Sequence, residues 1–296
     1  MKAVVFGGSG FLGSHVADAL SQAGHEVTIY DLKESSYLSG SQEFVHADIL
    51  DPAAVARAFK GQEVAYNFAG LADLDEAHEQ PVESARTNVL GNTILLEAAR
   101  AAKLRRFVFA SSIYVAGHSG GFYRASKQAC ELYVEEYQRW FGLDFTILRY
   151  GSIYGRRSDR NNGVAQYLLQ ALRDRRIVIK GTGDELREYV HVSDVAQASV
   201  QILQPEFRNQ HVVLTGHHLL RVRDLAEMIR EMVGPDVRIE SQPAVDTRTH
   251  YTVTPYSFRP KIAKKLVSNH YMDMGQGLID CMEELHEQMQ EKLSSR

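Results

Sequence analysis

The sequence contains little cysteine and no long apolar run. Its 296 residues include only two cysteines, Cys130 and Cys281, which excludes a disulfide-based scaffold and favours a reduced, cytoplasmic environment. No apolar stretch approaches the ~20 residues of a membrane-spanning helix. The apolar residues at the N-terminus reach Gly7 too soon for the core of a signal peptide. We therefore expect no membrane partner.

The sequence also lacks an excess of charge of one sign. It carries 33 basic and 37 acidic residues, a net charge of −4, so bulk attraction to nucleic acid is not expected. Hydrophobic residues at 44% and charged residues at 24% are ordinary values for a globular protein. A chain of this length buries about three quarters of its unfolded surface on folding. We expect one large domain or two small ones.

The first half of the chain alternates strand and helix patterns. Six strands are predicted at residues 3–6, 26–30, 43–46, 63–68, 106–112 and 144–149. Four helices are predicted between them, at residues 11–23, 52–60, 81–102 and 122–141. This order predicts an α/β fold in which a doubly wound parallel sheet carries helices on both faces.

The second half is less regular. Helices are predicted at residues 164–174, 193–204, 223–233 and 276–292, separated by longer polar stretches. We predict a nucleotide-binding domain over residues 1–150, to which a later segment at about 184–215 returns. Residues 151–296 are then mainly a smaller α/β cap that binds the substrate.

A glycine-rich loop follows the first predicted strand and opens the first predicted helix. Its sequence is Gly7-Gly8-Ser9-Gly10-Phe11-Leu12-Gly13, and either Gly7 or Gly8 can serve as the first glycine of the dinucleotide fingerprint. The glycines allow a tight turn, close approach of the backbone to a pyrophosphate and close packing of helix on strand. Unpaired N–H groups at the helix N-terminus would then bind the phosphates. The cofactor contacts predicted here are Gly7, Gly10, Phe11, Leu12 and Gly13.

Two aspartates are candidates for binding the adenosine half of a dinucleotide. Asp31 ends the second predicted strand, 18 residues beyond Gly13. A carboxylate there accepts hydrogen bonds from the ribose and repels a 2′-phosphate, which favours NAD over NADP; the alternative is a simple turn cap. Asp48 and Ile49 follow the third strand and are placed to flank the adenine. The alternative for Asp48 is a cap for the helix that begins at Pro52.

A candidate catalytic group follows in the middle of the chain. Tyr123 and Lys127 lie four residues apart in a predicted helix, so both lie on one face. Ser111 and Ser112 end a buried strand, at the sheet edge where α/β folds bind ligands. A free tyrosine has a pKa of about 10, and reaching about 7 costs roughly 4 kcal/mol. A lysine ammonium and a positive nicotinamide ring would lower the pKa of Tyr123.

Taken in order, these motifs resemble the extended short-chain dehydrogenase/reductase family, in its nucleotide-sugar epimerase/dehydratase branch. The matching segments are residues 7–13, 67–70, 88–92, 111–112, 123–127, 148–155 and 187–196. The resemblance implies a Rossmann-like domain that binds NAD, a nucleotide-diphosphate sugar as substrate, and oxidation chemistry at the sugar.

The resemblance also implies roles for individual residues. Tyr123 would be the general base and acid on the sugar hydroxyl, Lys127 would hold the nicotinamide ribose, and Ser112 would orient the substrate. Further cofactor contacts would be Phe68, Ala69, Gly70, Asn88 and Tyr150. Substrate contacts would be Ser111, Ser112, Ser152, Arg187 and Arg248, the two arginines gripping the nucleotide diphosphate.

Departures from the family pattern narrow the predicted reaction. Sugar 4,6-dehydratases have Asp-Glu directly after the Ser/Thr, where this chain has Ile113 and Tyr114. Nucleotide-sugar decarboxylases have Glu at the position of Tyr114. The 4-epimerase pattern Ser-Ser-x-x-Val fits best, although Gly151 and Ser152 replace a bulky residue and an asparagine near the sugar phosphates, and Ala72 replaces a lysine.

We therefore expect an NAD-dependent nucleotide-sugar 4-epimerase. The alternative is a 4-dehydrogenase that releases the 4-keto sugar, and a non-catalytic NAD-binding protein is disfavoured because Ser112, Tyr123 and Lys127 are all present. No metal is expected, since His217 and His218 are adjacent and would point apart on a strand.

The helix that carries Tyr123 also predicts a homodimer. Its second half contains more apolar side chains than one sheet face needs, namely Tyr133, Val134, Tyr137, Trp140 and Phe141. The alternative is that all of them belong to the core.

Overall fold

The structure, a computed structural model, describes residues 1–242, 250–255, 264–266 and 271–294. They divide into two units. The first comprises residues 1–150, 195–214 and the described part of 255–266; the second comprises 151–194 and the described parts of 215–254 and 267–296. The sequence prediction returns about 184–215 to the first unit, whereas the structure keeps residues up to 194 in the second.

Strands and helices alternate through the first 150 residues. In chain order they are β1 (Lys2–Phe6), α1 (Phe11–Gln22), β2 (Glu26–Asp31), β3 (Gln42–His46), α2 (Pro52–Ala58), β4 (Val64–Asn67), α3 (Leu74–Glu79), α4 (Pro81–Ser84), α5 (Gly91–Ala101), β5 (Arg106–Ser112), α6 (Gly121–Phe141) and β6 (Phe145–Tyr150). A π-helical turn at Ala85–Leu90 joins α4 to α5, and a 3₁₀ turn at Ile113–Ala116 follows β5.

Shorter strands and four further helices follow in the rest of the described chain. They are β7 (Ser152–Tyr154), α7 (Gly163–Asp174), β8 (Arg176–Lys180), β9 (Leu186–Arg187), β10 (Tyr189–His191), α8 (Val192–Gln201), β11 (Gln210–Leu214), β12 (Leu220–Arg221), α9 (Val222–Val233), β13 (Arg238–Gln242), β14 (Lys264–Lys265) and α10 (Met274–Ser294). A 3₁₀ turn at Pro205–Phe207 lies between α8 and β11.

One parallel sheet organises the first unit. Its eight strands run in the order β3-β2-β1-β4-β5-β6-β11-β14. The strand order reverses between β1 and β4, and ligands of doubly wound sheets bind in the crevice at the carboxyl ends of such strands. The predicted α/β fold with a doubly wound, Rossmann-like parallel sheet is therefore confirmed.

Burial on both faces explains the strand sequences of this sheet. All residues of β4, β5 and β6 are buried, and most of them are apolar or aromatic. The largest fully buried side chains of the unit include Phe6, Tyr30, Phe59, Phe107 and Phe109. A rigid core of this kind holds the loops at the strand ends in place.

The second unit is built from small sheets and helices around a separate core. β7 pairs with β10 and β8 with β13 in parallel, and β9 pairs with β12 antiparallel. Its core includes Leu168 of α7, Ile177 of β8, Leu225 of α9 and Leu278 of α10.

Two local features of the first unit differ from the predictions. The single helix predicted at residues 81–102 is interrupted by the π-helical turn at Ala85–Leu90. Helix α3 was not predicted, although Asp73 accepts a hydrogen bond from the Glu76 N–H at 2.8 Å and the Asp-x-x-Glu pattern is a known helix-start signal.

Candidate active site

The loop between β1 and α1 has no room for side chains at its glycines. Gly7 has φ +74°, and a Cβ there would lie 2.6 Å from the Ala69 nitrogen. A Cβ on Gly13 would lie 2.1 Å from the Gly7 carbonyl oxygen. Helix α1 begins directly after Gly10 with no side-chain cap, so its first N–H groups face outward without a side-chain acceptor. The loop therefore has the backbone shape of a phosphate-binding turn.

Asp31 fastens this loop to the end of β2. Its carboxylate accepts hydrogen bonds from the Ser9 N–H at 3.0 Å and from the Lys33 N–H at 3.3 Å. The Ser9 hydroxyl oxygen is buried and has no hydrogen-bond partner among the described residues. Because a buried hydroxyl is usually paired, this orphaned group fits a polar ligand in the loop. The crowded glycines and the orphaned hydroxyl together fit a dinucleotide.

Asp48 and Ile49 lie beyond β3 in different environments. The exposed Asp48 carboxylate accepts a hydrogen bond from the Leu50 N–H at 2.9 Å. The cap of α2 is instead Asp51, so the alternative that Asp48 caps this helix is wrong. Ile49 is buried in the core, where a Cβ on Gly91 would come within 2.5 Å of its Cδ1.

Asn88 holds the loop after β4 through its side-chain amide. Its Oδ1 accepts a hydrogen bond from the Leu71 N–H at 2.7 Å, and its Nδ2 donates to the Leu71 carbonyl at 3.0 Å and to the Ser126 hydroxyl at 2.9 Å. Gly70 leaves room for this contact, since a Cβ there would lie 2.6 Å from Oδ1. The structure thus shows Asn88 joining the loop to α6. It lies on the π-helical turn, a distortion that often marks functional sites.

Aromatic rings surround the same strand ends. The Phe68 ring lies 6.1 Å from that of Tyr66 and 6.2 Å from that of Tyr150, centroid to centroid. Ala69 follows Phe68 and approaches the Gly7 turn, as described above. The Tyr150 hydroxyl is paired with the Ser199 hydroxyl at 2.8 Å. Tyr150 therefore offers an apolar ring edge here rather than a free hydroxyl.

Ser112, Tyr123 and Lys127 come together at the carboxyl end of β5. The Ser112 and Tyr123 side chains are hydrogen-bonded to each other. Lys127 is 7% exposed, and its ammonium donates to the Ala110 carbonyl at 2.8 Å and lies 5.0 Å from the Phe109 ring centroid. The predicted catalytic residues thus lie in one small cluster.

The polypeptide alone does not make Tyr123 a strong base. Burial raises the pKa of Tyr123 to about 12, and the hydrogen bond with Ser112 opposes that rise. Burial also lowers the pKa of Lys127. The chemistry requires a lower Tyr123 pKa, and positive charge beside the ring, from the Lys127 ammonium and from a bound nicotinamide, would supply that shift.

Ser111 pairs with a different side chain from Ser112. Its hydroxyl donates a 2.6 Å hydrogen bond to Glu131, and both residues are buried. Ser111, predicted among the substrate contacts, therefore has a buried protein partner instead. Sequence reasoning missed Glu131, although it lies one turn after Lys127 on α6.

The second unit brings two predicted substrate residues together through a tyrosine. The Ser152 and Tyr251 hydroxyl oxygens are 3.0 Å apart, and the Arg187 guanidinium carbon lies 4.2 Å from the Tyr251 ring centroid. Tyr251 was not predicted, and no local motif points to it. Arg248 lies outside the described residues.

Three structural observations concern the expectations about cysteines, metal and membrane. Cys130 and Cys281 are both free and buried. Among the described residues there is no group of three or more side chains arranged to hold a metal ion. No helix in the described ranges is long and apolar enough to cross a membrane.

Comparison with known proteins assigns this arrangement to a family. The model of the NAD dependent epimerase/dehydratase family matches residues 3–215. The chain belongs to the NAD dependent epimerase/dehydratase family. The resemblance inferred from its motifs is confirmed, and the chain is an enzyme of an NAD-dependent family.

Relatives within the epimerase/dehydratase family are named for different reactions. The chain is 29% identical over 252 residues to a putative UDP-glucose 4-epimerase of Methanocaldococcus jannaschii, covering 78% of this chain and 82% of that protein. It is 24% identical over 268 residues to a UDP-N-acetyl-alpha-D-glucosaminuronate decarboxylase of Bacillus cytotoxicus, covering 82% of this chain and 83% of that protein. The family therefore fixes the nucleotide-sugar class of chemistry and leaves the reaction outcome open.

A solved structure shows the same fold along nearly the whole chain. The crystal structure of UDP-glucose 4-epimerase from Thermotoga maritima with UDP-glucose superimposes with a TM-score of 0.86. The superposition covers 98% of this chain and 100% of that one at 24% sequence identity.

Proposed function

We propose that this enzyme is an NAD-dependent nucleotide-sugar 4-epimerase. The observation that carries the proposal is the cluster of Ser112, Tyr123 and Lys127 beside Ile113 and Tyr114, which occupy the positions of the acid/base carboxylates in the family pattern of dehydratases and decarboxylases. Ile113 is buried, and the Tyr114 ring packs edge-on against the Tyr123 ring, 6.3 Å between centroids. An aromatic ring therefore occupies the position from which a carboxylate would act.

The first unit supplies a site that NAD fits. The glycine turn at Gly7 and the uncapped start of α1 would hold the pyrophosphate, with Ser9 beside it, and Asp31 would bind the adenosine ribose. When bound, NAD supplies a reversible hydride acceptor and a positive ring. Lys127 donates one ammonium N–H to the Ala110 carbonyl, and its other N–H groups would hold the nicotinamide ribose.

Tyr123 would take the proton from the sugar C4 hydroxyl and later return it. Ser112 would hydrogen-bond the same oxygen and keep it aligned, since its hydroxyl already pairs with that of Tyr123. In the second unit, Arg187 and Ser152 would hold the nucleotide diphosphate, and Arg248 is proposed from its motif alone. The site would keep the 4-keto sugar bound while it turns, so that C4 presents its other face to the cofactor.

A single-turnover experiment tests this proposal against the alternative of a 4-dehydrogenase. Enzyme loaded with NAD would be mixed with an equal concentration of UDP-glucose, and then with UDP-galactose. An epimerase gives little lasting NADH absorbance and a mixture of C4 epimers, because the hydride returns. Persistent, stoichiometric NADH with a ketone product and no epimer would refute the epimerase and support the dehydrogenase.

We also propose that the enzyme forms a homodimer through α6. Val134 and Tyr137 pack into the core, as the alternative interpretation required, but Tyr133, Trp140 and Phe141 are exposed. Trp140 is 74% exposed, and such apolar patches mark interaction surfaces. A Trp140→Glu variant should elute as a smaller species than the wild-type protein. Equal masses for both proteins by light scattering would contradict a dimer formed through this face.

A further inference from the structure

A buried carboxylate beneath the catalytic cluster has no part in the chemistry proposed above. Glu131 is 5% exposed and accepts three hydrogen bonds, from the Ser111 hydroxyl at 2.6 Å and from Nε and Nη2 of Arg149 at 2.9 and 2.7 Å. Arg149 is 6% exposed. Ser111 and Arg149 are direct neighbours across β5 and β6, so one carboxylate of α6 spans both strands.

Stability alone does not explain this ion pair. Removing two charges from water costs several kcal/mol per ion, and well-packed apolar residues often replace such pairs without loss of stability. A buried pair with complete hydrogen bonding does fix one geometry, since any shift leaves a charge unpaired. The pair therefore indicates a need for exact placement of α6 on the sheet.

That placement determines where the catalytic side chains lie. Tyr123, Lys127 and Glu131 are spaced four residues apart and share one face of α6. Each contacts a different one of three consecutive β5 residues: Tyr123 contacts Ser112, Lys127 contacts Ala110, and Glu131 contacts Ser111.

We propose that Glu131 is a positioning residue of the active site, acting through Lys127 and Ser112. It locks α6 on β5 and β6 in the register that places the Lys127 ammonium at the end of β5 and the Ser112 hydroxyl on Tyr123. The inference rests on the proposed function for the roles of those three residues.

The negative charge of Glu131 also supports the proposed role of Lys127. It lies one turn from Lys127 and favours the ammonium form, raising the Lys127 pKa against the effect of burial. Cys130 also neighbours Lys127, but burial raises its pKa to about 11, so its thiol is neutral at neutral pH. From β5, the Phe109 ring and the Ala110 carbonyl face the Lys127 ammonium.

Other charged groups face Glu131 itself. From β6 and β11 they are Arg149 and His211, whose Nδ1 lies 3.7 Å from the Glu131 carboxylate. Glu135, on α6, lies on the far side of His211 at 3.1 Å from its Nε2.

Glu131→Gln tests the inference, because it keeps the shape and removes the charge. In the NAD-loaded enzyme, kcat should fall on the order of 10- to 100-fold with little change in KM, since misplaced catalytic groups lose orientation. The basic limb of the kcat–pH profile should move to lower pH, because Lys127 loses a neighbouring negative charge. The affinity for NAD alone should weaken roughly tenfold, as loss of a hydrogen bond to a charged group predicts.

A matched control lies five residues away on the same helix. Glu136 forms an exposed ion pair with Arg139 at 2.8 Å, so Glu136→Gln should leave all three measurements unchanged. NAD affinity needs no sugar, so it tests the positioning role even where the nucleotide-sugar assignment fails. Failure of that assignment would instead show as no sugar oxidation by the wild-type enzyme.

A double variant separates positioning from general stability. Glu131→Gln leaves the Arg149 guanidinium without a counter-charge and lowers the denaturation midpoint, whereas adding Arg149→Met removes that charge and should restore the midpoint. The reduced kcat and weaker NAD affinity should persist in the double variant. The proposal would be overturned if kcat and NAD affinity recovered together with the denaturation midpoint in the double variant. It would also be overturned if Glu131→Gln had the kcat and NAD affinity of the wild type.

Discussion

The Arg187 guanidinium lies over the ring of Tyr251, 4.2 Å from guanidinium carbon to ring centroid, and the hydroxyl of that tyrosine lies 3.0 Å from the Ser152 hydroxyl. Burial raises the Tyr251 pKa, so the hydroxyl stays protonated at neutral pH. One side chain therefore orders the two described residues that we assign to the nucleotide diphosphate.

Two substitutions of Tyr251 should have different effects. Tyr251→Leu removes both contacts and should weaken UDP-glucose binding about tenfold, because a partly desolvated cation–π contact contributes roughly 1–2 kcal/mol. Tyr251→Phe keeps the ring and should cost less than about threefold. Isothermal titration with the NAD-loaded protein measures both, and equal affinities for Tyr251→Leu and wild type would contradict the role of Tyr251.

Tyr123→Phe should reduce turnover at least a hundredfold and leave NAD bound. The substitution removes the proton-transfer group, which typically contributes 10²- to 10⁴-fold, and keeps the ring that packs against Tyr114. Steady-state turnover and the NAD content of the purified variant are the two measurements. Near wild-type turnover would remove Tyr123 from the mechanism.

The pH dependence of the first oxidation step should show how the positive charge of the cofactor lowers the pKa of Tyr123. Burial raises the pKa of Tyr123 to about 12 in the protein alone, so little tyrosinate exists below that pH. Positive charge from bound NAD lowers this pKa, and the rate of NADH formation should therefore rise with pH along a limb well below 12. Lys127→Met removes a second positive charge and should move that limb to higher pH. An unchanged limb would exclude Lys127 as a source of the shift.

Asp31 should set the preference for NAD over NADP by its charge. Asp31→Asn can still accept the Ser9 N–H, so it should keep NAD affinity within a few-fold and bind NADP more tightly than wild type. Asp31→Ala also removes the acceptor that fastens the glycine loop, and should weaken NAD about tenfold. Fluorescence titrations of the wild type and both variants with NAD and with NADP give the six dissociation constants. Tighter NADP than NAD in the native protein would contradict the assignment.

Gly13→Ala should disrupt the cofactor loop. The added Cβ would lie 2.1 Å from the Gly7 carbonyl oxygen, so the loop must move, at a cost of about 1–3 kcal/mol. Gly40→Ala is the control, because no atom lies within 4 Å of its added Cβ. Urea denaturation compares the stability of the two variants, and NAD titration compares their cofactor affinity. The prediction fails if Gly13→Ala has the same stability and NAD affinity as Gly40→Ala.

The sequence was sufficient for the elements whose signals are local. Strands buried on both faces are rich in apolar residues, which is why β1, β2 and β4 to β6 were predicted within a few residues. The more exposed β3 was also predicted, at residues 43–46 against Gln42–His46 in the structure. The glycines at Gly7 and Gly13 were recognised because a tight turn against a helix start tolerates nothing larger. Tyr123 and Lys127 were paired by helical spacing alone, and their family was recognised from the order of the motifs.

Only the tertiary structure decided which partners the polar groups have. Ser111 and Ser112 look equivalent in sequence, but in the structure one hydroxyl pairs with Glu131 and the other with Tyr123. Tyr251 lies 64 residues from Arg187 in the chain, and no local pattern predicts their contact. Hydrogen bonds and charge effects depend on distance in space, and burial sets the pKa of Tyr123. Such relationships arise when distant segments pack together, which is why the sequence alone identifies the chemistry and the fold decides how it is positioned.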